Sequence, residues 1–305
     1  MHPSSRTGSD PRSDGWTPQV TVIVPHYQDP DNLANCLAHL ARQTYPAALF
    51  EIVVADNGSA IARDRLDQVV DGRATVVIET RKGAGLARNA AAAVAKGEVL
   101  AFIDSDCLAT PDWLRWGVMA LHGAGFVGGD VTIADPQGRE HSGAEAFEKV
   151  FAFNMRSYAH DKNFAGSGNL FVRRADFEKV GGFKVGISED MEWSHRAAAH
   201  GLALAFEERA LVTHPPRRNW AELTRKWKRV SEELYAIACS RPNGRLTWFA
   251  RSLAMPLSAI AHLPRMFACR DITMGARFRG AGVLIAIRMW RMVYGLKLMI
   301  KASTA

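Results

Sequence analysis

The sequence predicts an α/β protein, a doubly wound and mostly parallel sheet flanked by helices, with a C-terminal amphipathic helical extension. Three observations predict it. Short β-branched runs alternate with helix-period stretches between Val20 and Ile103; polar clusters follow several of those runs; and from Trp220 onward the apolar spacing turns helical while the charge turns strongly positive.

Residues 1–18 (MHPSSRTGSDPRSDGWTP) carry Ser, Gly, Pro and charge without an apolar period, so a disordered leader is expected. A strand is expected at Val20–Val24, stopped by Pro25, and a helix from Asn32 to Arg42 on the spacing of Leu33, Cys36, Leu37 and Leu40. Strands at Ile52–Ala55, Thr75–Ile78 and Val99–Ile103 then alternate with helices at Arg63–Val70 and Leu86–Ala95. After Trp116 the alternation weakens. Strands are expected at Phe126–Ile133 and Asn169–Arg173, and helices at Ala144–Ala159 and Glu189–His200. Two short strands, Ala203–Phe206 and Ala210–Thr213, precede His214-Pro215-Pro216. An α/β domain over 19–216 and a basic amphipathic helical region over 217–305 follow from this reading.

At 305 residues with 48% apolar content the chain can bury a sizeable core, which excludes overall disorder. Cys36, Cys107, Cys239 and Cys269 share no metal-ligand spacing, and no secretory signal is read at the N-terminus, so a reducing, cytoplasmic setting is expected. From His214 to Lys301 there are 17 Lys or Arg against 4 Asp or Glu, a net +13 that leaves the remainder at −6. Because that segment is also rich in Leu, Ile, Met and Trp, an anionic membrane surface explains the charge better than nucleic acid does. Arg288 and Arg291 near the middle of the window Ala281–Ile300 argue against a simple span, since a charge at a helix centre costs roughly 2.5–3.5 kcal/mol on insertion scales. Interfacial helices are the preferred reading, with packed helices or an oligomer interface as the alternative.

In doubly wound sheets ligands bind beyond the carboxyl ends of the strands. That rule nominates HYQD after Val24, DNGS after Ala55 and DSD after Ile103. Asp104 and Asp106, one residue apart at a strand end, can approach one hard divalent cation if the backbone turns between them. Taken alone, the same pair reads more readily as a solvated strand-end turn with capping aspartates. The dehydrogenase fingerprint G-x-G-x-x-G is absent from the first strand-to-helix turn, PHYQDPDN, which has no glycine.

The ordered series VTVIVPHYQD, EIVVADNGS, GAGLARNAA, GEVLAFIDSD, GSGNLFVRR, GGFKVGISEDMEW and VTHPP resembles the family 2 glycosyltransferases, an inverting group with the GT-A fold, over about Val20–Pro216. The resemblance implies a nucleotide diphosphate sugar donor, with UDP the expected nucleotide, and a Mn²⁺ or Mg²⁺ cofactor. It places Pro25 and Tyr27 beside the base, Asp56 as acceptor from a base N–H, Arg88 toward the anionic nucleotide, Asp104 on the ribose or metal with Ser105 beside it, and Gly168 in a donor-side loop. It implies Asp106 and His214 as metal ligands, Asp190 as the general base and Glu189 as its support. Ser188 is positioned to cap the helix that Glu189 and Asp190 open. With the basic tail, the implied acceptor is a lipid or lipid-linked saccharide at the inner face of the cell membrane, taking a single addition rather than a polymer. A sugar nucleotidyltransferase would want a Gly-rich, basic signature after the first strand, which HYQD is not, and a binding protein without catalysis would not need both acidic pairs.

Overall fold

A computed structural model describes residues 16–186 and 188–301. The elements run in the order β1 (Val20–His26), α1 (Pro30–Leu40), β2 (Phe50–Asp56), α2 (Arg63–Val70), β3 (Thr75–Ile78), α3 (Ala84–Val94), β4 (Val99–Ile103), β5 (Leu108–Ala109), α4 (Trp113–His122) and β6 (Phe126–Ile133). They continue as α5 (Gly143–Phe151), α6 (Met155–Lys162), β7 (Asn169–Arg173), α7 (Arg174–Val180), α8 (Glu189–Ala199), β8 (Leu204–His214), α9 (Trp220–Cys239), α10 (Gly244–Leu253), α11 (Met255–Ala268) and α12 (Met274–Lys301). The chain forms two compact units, Met1–Val131 with Met155–Thr213, and Thr132–Asn154 with His214–Ala305.

The sheet of the first unit has the order β3-β2-β1-β4-β7-β6-β8-β5. Its first four strands are parallel, while β4 with β7, β6 with β7, and β5 with β8 pair antiparallel. The central strands are apolar at successive positions because both faces are covered. Val22, Val24, Val54, Ala101 and Ile103 pack in one core cluster, and their neighbours Ile23, Val53, Leu100 and Phe102 pack in another.

Several boundaries depart from expectation. β1 runs through Pro25 to His26, paired with β2 at Pro25↔Ala55 and His26↔Asp56, because its ladder to β4 ends at Ile23 and proline's missing N–H costs nothing on that side. The helix expected over 144–159 is two helices, α5 and α6, and the break coincides with the boundary between the two units. The two short strands before His214 are one strand, β8, whose exposed stretch pairs Arg209 Nε with Glu207 Oε1 at 2.8 Å along the same strand.

Residues 1–15 of the expected leader lie outside the described residues; Trp16, within it, packs against His122 with ring centroids 5.3 Å apart. In the second unit, α5, α9, α11 and α12 bury a core of their own, including Phe147, Val150, Leu223, Met266, Leu284 and Ile287. Residues from the middle of the chain thus share a core with the C-terminal helices. No helix among the described residues is long and apolar enough to cross a membrane.

Candidate active site

The polar strand ends nominated by the sequence fold into ordered turns. After β1, Pro25 and His26 are buried while Tyr27 is 51% exposed, with Lys82 Nζ 4.1 Å from its ring centroid. Asp29 caps α1 by accepting from the Asn32 amide at 3.2 Å, and Pro30 follows in the first turn. The Asp29 amide also donates to His26 Nε2 at 3.3 Å, so the His26 proton sits on Nδ1 and is donated to Asp56 Oδ1 at 2.9 Å.

Asp56 ends β2 and accepts further bonds from the Ser59 hydroxyl at 2.5 Å and the Ser59 amide at 3.0 Å. Burial raises the Asp56 carboxyl, but Ser59 and His26 outweigh it and hold the group below its ordinary value. Asn57 pins the segment leading to α3: its amide donates to the Glu79 and Arg81 carbonyls at 3.0 and 2.7 Å, and its carbonyl accepts from the Gly83 amide at 2.8 Å.

Arg88, in the second turn of α3, is only 4% exposed. Its Nη2 donates to Asp104 Oδ1 at 2.5 Å and its Nη1 to Glu189 Oε1 at 2.8 Å, while Nε has no partner. One guanidinium therefore ties the end of β4 to the start of α8. Both carboxylates are packed against glycines. A Cβ at Gly168 would lie 2.5 Å from Asp104 Oδ2, and one at Gly85 would lie 2.8 Å from Glu189 Oε2. Only glycine lets these backbones come so near.

Asp190 is partly buried, with Oδ1 accepting from the Met191 amide at 2.8 Å. Burial raises the carboxyls of Asp190 and Glu189 above their ordinary values, against the opposing pull of Arg88. The expected cap by Ser188 is absent. Ser188 takes a left-handed conformation (φ 54°) and makes no side-chain cap bond; its backbone carbonyl instead accepts from the Glu192 amide at 3.0 Å. Three acidic residues in the first turn of α8, Glu189, Asp190 and Glu192, complement the helix dipole in place of a cap.

Side chains outside the nominated set hold this geometry. Asn89 clamps Phe183 by donating to its carbonyl at 2.7 Å and accepting from its amide at 2.8 Å. Arg196 donates to the carbonyls of Val180, Gly181 and Gly182, and Trp193 Nε1 donates to the Gly181 carbonyl at 3.0 Å. The local pattern around Arg196 marks only its i,i+4 pairing with Glu192; the carbonyls it holds lie 14–16 residues back.

Asp104, Asp106 and Cys107 bring one ligand atom each within 4.8 Å of one another, and Ser105 is half-buried between the two aspartates. The Cys107 thiol is buried and its pKa lies well above the usual value through desolvation and the two aspartates, so it stays protonated. The two carboxylates supply the oxygen ligands that a hard divalent cation of the Mg²⁺ or Mn²⁺ type takes. Cys107 was not among the residues nominated from sequence, where its lack of a cysteine partner hid it. His214 belongs to the second unit, where its Nδ1 is 2.6 Å from the Pro215 carbonyl and its ring 5.3 Å from that of Phe153. The downstream cations Arg217 and Lys226 are committed to buried Glu148, each at 2.8 Å.

The family model described as Glycosyl transferase family 2 matches residues 21–181. Glycosyltransferase AglE of Haloferax volcanii is 34% identical over 224 residues, covering 70% of this chain and 72% of that protein. The validoxylamine A glucosyltransferase of Streptomyces hygroscopicus subsp. limoneus is 25% identical, covering 73% of this chain and 57% of that protein. Among solved structures, the mannosyltransferase PcManGT of Pyrobaculum calidifontis, in complex with GDP-Man and Mn²⁺, has a TM-score of 0.60 at 21% identity, covering 96% of this chain and 88% of that one. The S. aureus TarS fragment 1–349 in complex with UDP-GlcNAc has a TM-score of 0.51 at 20% identity over 72% of this chain and 66% of that one. With its parallel strand ends, its paired acids and these likenesses, the chain belongs to glycosyl transferase family 2 and is a nucleotide-sugar glycosyltransferase of the GT-A fold.

Proposed function

We propose that the chain catalyses a metal-dependent, inverting transfer of a hexose-type unit from a UDP-linked donor to a hydroxyl acceptor, with Asp190 as the base. The observation that carries this reading is the Arg88 bridge, which brings Asp104 of the acidic turn and Glu189, neighbour of Asp190, onto one guanidinium. Donor-side and acceptor-side carboxylates thereby share one anchor.

In that displacement Asp190 takes the proton of the acceptor hydroxyl, the acceptor oxygen bonds to C1 of the sugar, and the C1–O electron pair leaves with the diphosphate. Burial raises the Asp190 carboxyl above its ordinary value, which supports the role because a carboxylate so raised is a stronger proton acceptor. Glu189 and Arg88 orient the pocket wall beside it. Asp104 and Asp106 would hold Mn²⁺ or Mg²⁺, whose charge offsets that of the departing diphosphate when bound. Tyr27 offers a face for the base. Three hydrogen bonds occupy Asp56, which leaves one of a carboxylate's roughly four lone-pair positions for a base N–H.

The acceptor in this reading is a lipid or lipid-linked saccharide, met at the inner face of the cell membrane during glycolipid or surface-polysaccharide synthesis. The exposed apolar residues Leu257 (70%), Ile260 (65%) and Phe278 (64%), set among the basic charges of the second unit, support a peripheral membrane contact.

A panel of UDP-, GDP- and dTDP-sugars with Mn²⁺ tests the donor. Release of free UDP from a UDP-sugar is the expected result, GDP release from GDP-mannose alone would move the donor assignment, and pyrophosphate release would indicate nucleotidyl transfer instead. Asp106→Ala should abolish Mn²⁺-dependent UDP binding; unchanged affinity at saturating Mn²⁺ would remove Asp106 from the metal site. Asp190→Asn should retain donor binding and lose at least about a hundredfold in turnover, in line with the worth of a positioned base.

A further inference from the structure

The second unit buries positive charge that it does not neutralise. Arg291 lies one helical turn from Arg288 on α12 and is only 8% exposed. Its guanidinium carbon sits 3.9 Å from the ring centroid of Trp227 on α9. No hydrogen bond or ion pair joins Arg291 to another side chain among the described residues, and its Nε has no partner. Trp227 Nε1 and Arg288 Nε are likewise buried donors without an acceptor. The Arg288 Nη1 reaches only the Met255 sulfur, at 3.8 Å.

Three acids of this unit are engaged elsewhere. Glu148 is shared by Arg217 and Lys226, Glu232 accepts from the Tyr294 hydroxyl at 2.6 Å, and Glu140 pairs with Arg279 at 2.7 Å. Burial, together with nearby Arg288 and Arg251, pushes Arg291 down to about 9. A guanidinium resists losing its proton, so such a site is completed by an anion rather than by neutralisation. The cation–π contact with Trp227 offsets part of the cost and leaves the charge in place.

We propose that Arg251, Arg288, Arg291 and the Trp227 indole N–H form a binding site for a phosphate or diphosphate group, built within the second unit. Three guanidinium groups and an N–H supply donors only, and the planar guanidinium fork pairs with phosphate oxygens two at a time. The Met255 side chain lies beside Arg288. A phosphate carried on an apolar chain and a free phosphate offer the same oxygens. The inference does not depend on glycosyl transfer or on the acidic turn.

Calorimetric titration in EDTA at fixed ionic strength tests it, with inorganic pyrophosphate in one arm and dodecyl phosphate below its micellar concentration in the other. Dodecyl maltoside serves as the uncharged control. Wild type and Asp106→Ala should bind alike, which separates this site from the acidic turn. Arg291→Met should weaken binding at least tenfold, while its ligand-free Tm rises because an unpaired buried charge has been removed. Trp227→Phe, which keeps an aromatic ring and deletes the indole N–H, should weaken binding severalfold. Dodecyl phosphate binding ten times tighter than pyrophosphate identifies a lipid-borne phosphate, and equal affinities identify a soluble one. No phosphate binding by wild type, or unchanged affinity in Trp227→Phe and Arg291→Met, overturns the proposal. Should Arg291→Met fail to fold, the Trp227→Phe result alone decides.

Discussion

Gly168 and Gly85 are the residues whose substitution reports most directly on the acidic groups they face. A methyl group at position 168 would press on Asp104 Oδ2 at 2.5 Å, so the carboxylate must rotate away from Arg88. Gly168→Ala should therefore weaken Mn²⁺-dependent UDP affinity by about tenfold, equivalent to ~1.4 kcal/mol, as read by calorimetry. Arg88→Met leaves Asp104 and Glu189 facing each other unpaired. The expected stability loss, on the order of 2–3 kcal/mol by denaturant titration, lies at or below the low end for a broken buried pair because both acids keep partial access to water. Asp190 and Asp56 carry opposite pH signatures. Asp190 is raised in the fold, so its stabilising contribution is complete below the unfolded value and is lost as pH rises through the folded one. Asp56 is lowered, so its contribution is present above the unfolded value and is lost as pH falls through the folded one. Two consequences follow for Asp190. The acidic limb of kcat/KM should lie above the unperturbed aspartate value of about 3.9, and Asp190→Asn should unfold at a Tm no lower than wild type at pH 7. A clearly lower Tm would show that the charged carboxylate is structurally needed.

The elements that present these groups are held by a few long-range clamps. The Asn57 amide fixes the segment before α3, and Asn89 and Arg196 fix the turn before α8, so the strand ends and the helix start keep their mutual positions without any ligand. Ser188 in a left-handed conformation immediately before Glu189 and Asp190 is the local cost of aiming both acids as they are. Among the helices, α12 packs against α5, so removing the C-terminal segment would expose Phe147 and Val150. Point changes test the membrane contact more cleanly: Leu257→Glu with Ile260→Glu, both on exposed positions, should reduce co-sedimentation with anionic vesicles severalfold and leave Tm within about 2 °C. Undiminished co-sedimentation would place the contact on another face or discard it.

Across the whole molecule, the strands were legible because each central strand is covered on both faces and therefore reads as an apolar run. Thr75–Ile78, Val99–Ile103, Phe126–Ile133 and Asn169–Arg173 have the expected limits. The break between α5 and α6 was not legible, since it falls where the chain passes from one unit to the other and no glycine or proline marks it. Likewise the basic tail suggested a surface-lying extension, but its helices share a core with residues 132–154, a partner far away in sequence. Glu148 was unremarkable in sequence and is the buried counter-charge for two of the tail's cations.

What the sequence determined by itself was the sheet of alternating strands and helices, the family, and the acids at its strand ends, because periodicity and turn chemistry are local properties of the chain. Only the tertiary structure decided that Arg88 faces Asp104 and Glu189, which lie 16 and 101 residues away, and that Arg291 is buried on Trp227 without an acid. Charge pairing is set by distance in space, and a one-dimensional pattern records which charges exist without recording which of them meet.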